Sequence, residues 1–376
     1  MVLNISKKDM KFYAAIALVI GTVIGAGVFG IPYAISKSGF ILGMINIIFV
    51  GFMTTIMTLY MGEVVLRTKE KKQFVGLAEK YLGKYGKWLM FASIVMGIYG
   101  ALTAYLVGIG ESLSFLFGGN PLIYSLLFFI VSTPIILIGL RTILGVEFGL
   151  SISLVVTFIA ISLILIPKIN MANLSYINLS KAFYPYGVIL FATLGYSVIP
   201  EVKMVLNNQK NRIMHAIVIA MIVCITIYTL FSFSIIGVYG KEISEIATKS
   251  LNGGLSILGT TVALLAMATG FLALSMVLKD VYSIDIKINK KTSFALVSLI
   301  PLMIILFLSP SFVTVISLTG AYGGGLTGVL CALMIKEARK KGEVKPNFVV
   351  PGGNFLIYLS ILVFIMGIIF QTMLII

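Results

Sequence analysis

The residues whose spacing points most directly to chemistry are glycines and prolines. Gly21-Thr22-Val23-Ile24-Gly25-Ala26-Gly27-Val28-Phe29-Gly30-Ile31-Pro32 sets four glycines and a proline inside a charge-free apolar stretch. Thr193-Leu194-Gly195-Tyr196-Ser197-Val198-Ile199-Pro200 is a similar disturbance far downstream. A helix interrupted at such a point frees carbonyls on the segment before the break and N–H groups on the segment after it. The N–H groups of Ala26 to Phe29, at the positive end of a helix dipole, suit a carboxylate. The carbonyls near Thr22 and Val23, with those near Ala192 and Thr193, suit an ammonium. Gly25-Ala26-Gly27-Val28-Phe29-Gly30 also matches G-x-G-x-x-G, but a dinucleotide site needs a strand before it and an acid about 20 residues later. Here the next acid is Glu63. No cofactor is expected.

Side chains near the breaks set what else the site accepts. Phe191, Gly195 and Tyr196 flank the second break, and Tyr99, Thr103 and Met267 lie in other apolar stretches expected beside it. Any one of these aromatics taken alone reads as core packing. Together they form an aromatic and polarizable wall that suits a neutral or aromatic side chain, and no acid stands near the breaks to receive a cationic one. Glu201 follows Pro200 directly, where partial burial suits a carboxyl that takes up and releases a proton. Its competing role is a salt bridge to Lys203. Glu63 and Glu147 are expected to pair with Arg67 and Arg141. Glu111 sits near one end of its stretch, and His215 is expected at an interface.

The elements that carry these residues follow from composition. Of 376 residues, 59% are hydrophobic and 11% charged, with a mean hydropathy of +1.10. So few charges cannot cover a water-facing surface of this size, so the chain is an all-α integral membrane protein in a lipid bilayer. Spans need about 20 residues each. Eleven are expected, near residues 12–36, 40–66, 87–117, 122–140, 146–167, 184–206, 214–239, 254–278, 293–308, 312–335 and 354–375. The 44 charge-free residues from Thr292 to Ile335 are twice a bilayer as helix, and Leu308-Ser309-Pro310-Ser311 divides them into a hairpin. Of the 28 Lys and Arg, 23 fall on one side of this arrangement and five, Lys37, Lys168, Lys181, Lys241 and Lys249, on the other. A cytoplasmic N terminus and an extracellular C terminus in the cell membrane follow from that bias. The charge of +15 is thereby explained without nucleic acid as a partner. Residues 73–82 alternate apolar and charged side chains at helical spacing and are expected to lie along the inner surface. Cys224 and Cys331, both inside apolar runs, define neither a disulfide framework nor a metal site.

The two breaks fall in spans 1 and 6, and paired interruptions mark midplane binding sites in carriers built from inverted repeats. Pro32 and Pro200 are offset by 168 positions, and Pro134 and Pro301 by 167. Those offsets fit five-helix repeats over about 12–167 and 184–335, inverted because each holds an odd number of spans, with an extra helix near 354–375. The whole chain, 1–376, is then one transmembrane domain. A zwitterionic amino acid satisfies both freed sets of backbone groups.

The first glycine motif, Gly100-Ala101-Leu102-Thr103-Ala104-Tyr105-Leu106 and Tyr196-Ser197-Val198-Ile199-Pro200-Glu201 resemble the amino acid/auxin permease family, with its bacterial tyrosine and tryptophan permeases, within the amino acid-polyamine-organocation superfamily. The resemblance covers essentially the whole chain. It implies the leucine-transporter type of fold and alternating-access secondary transport of amino acids. Sodium-coupled relatives surround the ion with span 1 carbonyls and span 8 hydroxyls, which gives Val23, Ala266 and Thr269 as candidates. Gly270 stands where a second hydroxyl is often found, which favours protons and Glu201 over sodium.

Other classes fit less well. An embedded enzyme needs paired carboxylates, a His cluster or an activated nucleophile, and one His with scattered acids does not supply it. A channel is separated from a carrier by saturable, counterflow-competent uptake. Loops this short leave little surface for a scaffold.

Overall fold

A computed structural model describes residues 7–70, 72–138 and 143–374, and its regular structure is helical. α1 (Lys7–Val23) and α2 (Gly27–Ser38) form one pass bent by 55° at the first glycine motif. α3 (Phe40–Arg67), α4 (Phe74–Phe117), α5 (Pro121–Ile138) and α6 (Ile143–Leu165) follow. The second break separates α7 (Tyr186–Ala192) from α8 (Ile199–Leu206). α9 (Ile213–Tyr239), α10 (Gly254–Asp280), α11 (Lys290–Leu308), α12 (Phe312–Leu318), α13 (Gly325–Lys341) and α14 (Gly353–Met373) complete the chain. Among the described residues nine helical stretches are long and apolar enough to cross a membrane, ten with the bent pair, so the protein is multi-pass. The apolar helical stretch Ile152–Lys168, which runs from α6 into the 3-10 turn after it, is shorter than that length.

Local chemistry explains the boundaries. Ser309 takes a left-handed conformation at φ 41°, and the Ser311 side chain accepts the Thr314 N–H to start α12, so the long apolar run is divided where expected. Residues 73–82 form the first turns of α4, with Phe74, Leu77, Ala78 and Tyr81 buried. Gly83, at φ 74°, bends the helix into its long apolar part, a conformation glycine adopts without a Cβ clash. α4 is central, packing against α5, α10, α11, α12 and α13, while α3 bridges α9 and α13.

The Lys- and Arg-rich face is tied at the end of α3. Glu63 is fully buried and accepts from Arg67 at 2.8 Å, from Arg339 of α13 at 2.9 Å and from the Val350 amide at 2.9 Å. The expected Glu63–Arg67 pair is thus part of a larger knot. Arg141, the expected partner of Glu147, lies outside the described residues. Glu343 adds a second tie, 2.7 Å from Lys80 and 3.0 Å from the Lys69 amide. Lys80 and that amide hold its carboxyl below the usual range. A lowered carboxyl stabilises at neutral pH and loses its contribution as pH falls through the lowered value.

Removing one member of a buried ionic cluster strands the others. Glu63→Ala leaves two half-buried guanidinium groups without their shared carboxylate, and thermal unfolding of the purified protein is expected to show a loss of about 1–3 kcal/mol, the partial exposure of both groups reducing the penalty of a fully buried charge. An unchanged melting temperature would show that the knot contributes nothing to the fold.

Candidate functional site

The two broken helices meet at their breaks. A Cβ on Gly27 would stand 2.8 Å from Ala192 Cα and 3.0 Å from the Phe191 ring, and one on Gly195 would stand 2.6 Å from Val23 Cγ2. Only glycine permits this approach. The C-terminal ends of α1 and α7 therefore converge, each bringing the negative end of a helix dipole. Between them lies the hydroxyl of Tyr228 on α9, 2.8 Å from the Val23 carbonyl and 2.8 Å from the Ala192 carbonyl. The Gly25 N–H also bonds to the Val23 carbonyl, at 3.0 Å.

The opposite polarity is supplied by the start of α2. Phe29 N–H turns back to the Ala26 carbonyl at 3.2 Å, so of the four amides expected to face an anion, Phe29 is already engaged. Among the described residues the N–H groups of Ala26, Gly27 and Val28 have no backbone partner. A Cβ on Gly25 would meet nothing within 4 Å, so the backbone between the two polar ends borders open space. Carbonyl ends on one side and unpaired amides on the other match an ammonium and a carboxylate on one small molecule.

Thr193 is buried and returns its hydroxyl to the Ile189 carbonyl, finishing α7, while Thr22 is exposed and bonds to Leu18. Phe191 lies beside Gly27. Tyr196 points toward the basic face, its ring 5.2 Å from Phe74 and its hydroxyl 3.4 Å from Thr327. Thr103 is buried and bonds to the Tyr99 carbonyl. The Tyr99 hydroxyl meets Tyr282 at 2.9 Å and the Leu296 carbonyl at 3.3 Å, tying α4 to the segments after α10. Met267 packs on Gly108. Thr269 donates to Leu265 and Ala266 on its own helix, and α10 packs on α4, α5, α6 and α11. The space beside Gly270 is taken by the Tyr105 ring, 3.0 Å from where a Cβ would stand.

Glu201 Oε2 is buried without a hydrogen-bond partner. The alternative salt bridge to Lys203 is not what the ammonium does: it caps α3 through the Val65 carbonyl at 2.6 Å and the Thr68 carbonyl at 3.2 Å. Glu111 pairs with Lys249 at 3.1 Å on the opposite face, and His215 is exposed near the start of α9.

Two features were not anticipated from sequence. Tyr228 is one aromatic in a long apolar run and gives no local signal. Thr319-Gly320-Ala321-Tyr322-Gly323-Gly324 forms a π-helical segment between α12 and α13. A Cβ on Gly320 would overlap the Gly187 carbonyl and lie 2.7 Å from the Phe191 amide, so this third irregular stretch presses on α7. Its glycines were the available signal.

A fold of discontinuous helices around paired polar ends is that of a membrane transporter, not of an enzyme. Residues 8–371 match the tryptophan/tyrosine permease family, and the chain belongs to that family of amino acid transporters. It is 24% identical to tyrosine-specific transport system 1 of Haemophilus influenzae, with 96% of each chain covered. It is 22% identical to glutamine transporter 2 of Aliivibrio fischeri, over 94% of this chain and 97% of that one. Among solved structures it is similar to MhsT in complex with L-phenylalanine, at TM-score 0.65 and 15% identity, with 98% of each chain covered. A manganese transporter of Eremococcus coleocola is similar at TM-score 0.64 and 10% identity, over 99% of this chain and 88% of that one. These structural likenesses establish a fold of the leucine-transporter type and leave the substrate to the site.

The two central glycines are expected to respond differently. Gly27→Ala overlaps Ala192 and is expected to cost about 1–3 kcal/mol of stability, read as a lower melting temperature. Gly25→Ala is expected to keep the wild-type melting temperature and raise the KM for uptake, because its methyl group enters the open space at the breaks. Equal losses of stability in both variants would contradict this geometry.

Proposed function

We propose that the protein takes up neutral or aromatic α-amino acids by alternating access, coupled to protons. The observation that carries this is the meeting of the α1 and α7 carbonyl ends opposite the unpaired amides of α2, one site for both ends of a zwitterion. Thr22, Val23, Gly25, Ala26, Gly27, Thr193 and Gly195 supply or shape the backbone part. Phe191 lies beside Gly27, with Tyr196 on the basic side, and Tyr99, Thr103 and Met267 are read as the rest of the side-chain wall. The relatives' named substrates, tyrosine and glutamine, both have uncharged side chains, which supports a neutral substrate.

The chain is read as eleven spans, with repeats over about 12–167 and 184–335 and an added helix near 354–375. Matching breaks after α1 and α7, and Pro134 and Pro301 inside α5 and α11, support that symmetry. The basic face is read as cytoplasmic, with the N terminus on that side and the C terminus outside. Proton coupling is supported by the unpartnered Glu201 oxygen. It is supported also by the Thr269 hydroxyl, committed to its own helix, and by the Tyr105 ring beside Gly270.

Counterflow in proteoliposomes with a panel of amino acids tests the substrate class: exchange of neutral amino acids is expected, and exchange confined to lysine or arginine would overturn it. Glu201→Gln is expected to abolish accumulation driven by an imposed pH gradient while counterflow persists. Full pH-driven accumulation by that variant would remove Glu201 from the coupling role.

A further inference from the structure

Tyr228 belongs to neither broken helix, yet among the described residues its hydroxyl is the one side-chain group hydrogen-bonded to the carbonyl ends of both, 2.8 Å from each. It is fully buried on α9, among Cys224, Phe231 and Ile235, which are themselves buried. A phenol has one proton and two lone pairs. It cannot donate fully to two carbonyls at once. The Val23 carbonyl already accepts from the Gly25 N–H at 3.0 Å, so it has a second donor of its own. The converging negative helix ends thus hold more acceptor capacity than the protein fills, and the shortfall is that of a cationic donor.

We propose that Tyr228 is the positioning residue of the ammonium subsite. Resting on the amino acid reading above, its hydroxyl fixes the Val23 and Ala192 carbonyls at one point and, when the substrate ammonium arrives, keeps one carbonyl and releases the other to the ammonium. The α1 and α7 ends are thereby aimed at the ammonium rather than splayed apart. A side chain from α9 thereby links substrate binding to both interrupted helices, which also pack on each other at Gly27 and Gly195.

A role confined to the ammonium makes a specific demand on ligands. The test uses proteoliposome counterflow of labelled L-tyrosine, with L-phenylalanine and 3-phenylpropanoate, which lacks the ammonium, as competitors. Loss of an aimed hydrogen bond to a charged group corresponds to about a tenfold loss of affinity or more. In Tyr228→Phe, the L-phenylalanine concentration for half-inhibition is expected to rise by that factor, while that for 3-phenylpropanoate moves by less than about twofold, since no charged hydrogen bond is lost. Equal shifts for both ligands, or no shift for either, overturn the proposal. If Tyr228→Phe is not monodisperse in detergent, 4-aminophenylalanine at position 228 is read instead. It keeps the ring and an N–H donor at the same reach, so wild-type discrimination between the two competitors supports the proposal and lost discrimination overturns it. If the wild-type protein exchanges a different neutral amino acid, that amino acid and its deaminated acid replace the two competitors; absence of exchange of any neutral amino acid would overturn the amino acid reading itself, and this inference with it.

Discussion

In the hydrocarbon of a bilayer every peptide N–H and carbonyl must find a partner within the protein, and each one left alone costs several kcal/mol. Two helices interrupted within apolar stretches strain that requirement. Much of the surrounding structure answers it. Thr193 folds its hydroxyl back onto α7, Phe29 N–H turns onto Ala26, and Tyr228 reaches across from α9 to the ends of both α1 and α7. What stays unanswered is small and polar in two senses: amides at the head of α2 and spare acceptor capacity at Val23 and Ala192. A substrate with a carboxylate and an ammonium is the complement of that remainder.

Glycine packing makes the remainder possible. Gly27 against Ala192, Gly195 against Val23 and Gly320 against Gly187 bring three irregular segments together without side chains between their backbones. Movement has to be accommodated beside this contact. α1 is tethered at its start by Asp9 to Arg212, 2.9 Å away at the beginning of α9, while α8 is held by Lys203 on the last carbonyls of α3. The Glu63 knot joins α3 to α13 and the loop that follows it. In the proposed cycle the inner halves of the broken helices rest on a basic face braced by buried charge. The solvent-exposed Asp9–Arg212 pair is the cheapest of these ties to break.

How much of this was legible in the chain depended on range. Glycine and proline clusters announce their own backbone irregularities, so the bend at Gly25, the break from Thr193 to Ile199 and the division at Ser309 to Ser311 were all readable from a few neighbouring residues. The amphipathic run at 73–82 was readable for the same reason, through its helical period. Charge placement gave Glu63 its neighbour Arg67, one turn away, but not Arg339, which lies 276 positions downstream. Tyr228 was invisible because its significance lies in meeting Val23 and Ala192, 205 and 36 residues away. Glu201 shows the opposite error: Lys203 is close in sequence, yet a salt bridge between them loses to two helix-end carbonyls of α3. The Thr319 to Gly324 segment was readable in principle, since its three glycines resemble those of span 1, but without a proline the run passes for a continuous helix.

The central claim is that the two breaks form one site for both ends of an amino acid. A structure of the protein with L-tyrosine bound tests it most directly. The carboxylate is expected against the amides of Ala26, Gly27 and Val28, with the ammonium at the Val23 and Ala192 carbonyls beside the Tyr228 hydroxyl. L-tyrosine bound with its phenol at the breaks, or bound away from both α2 and α7, would contradict it.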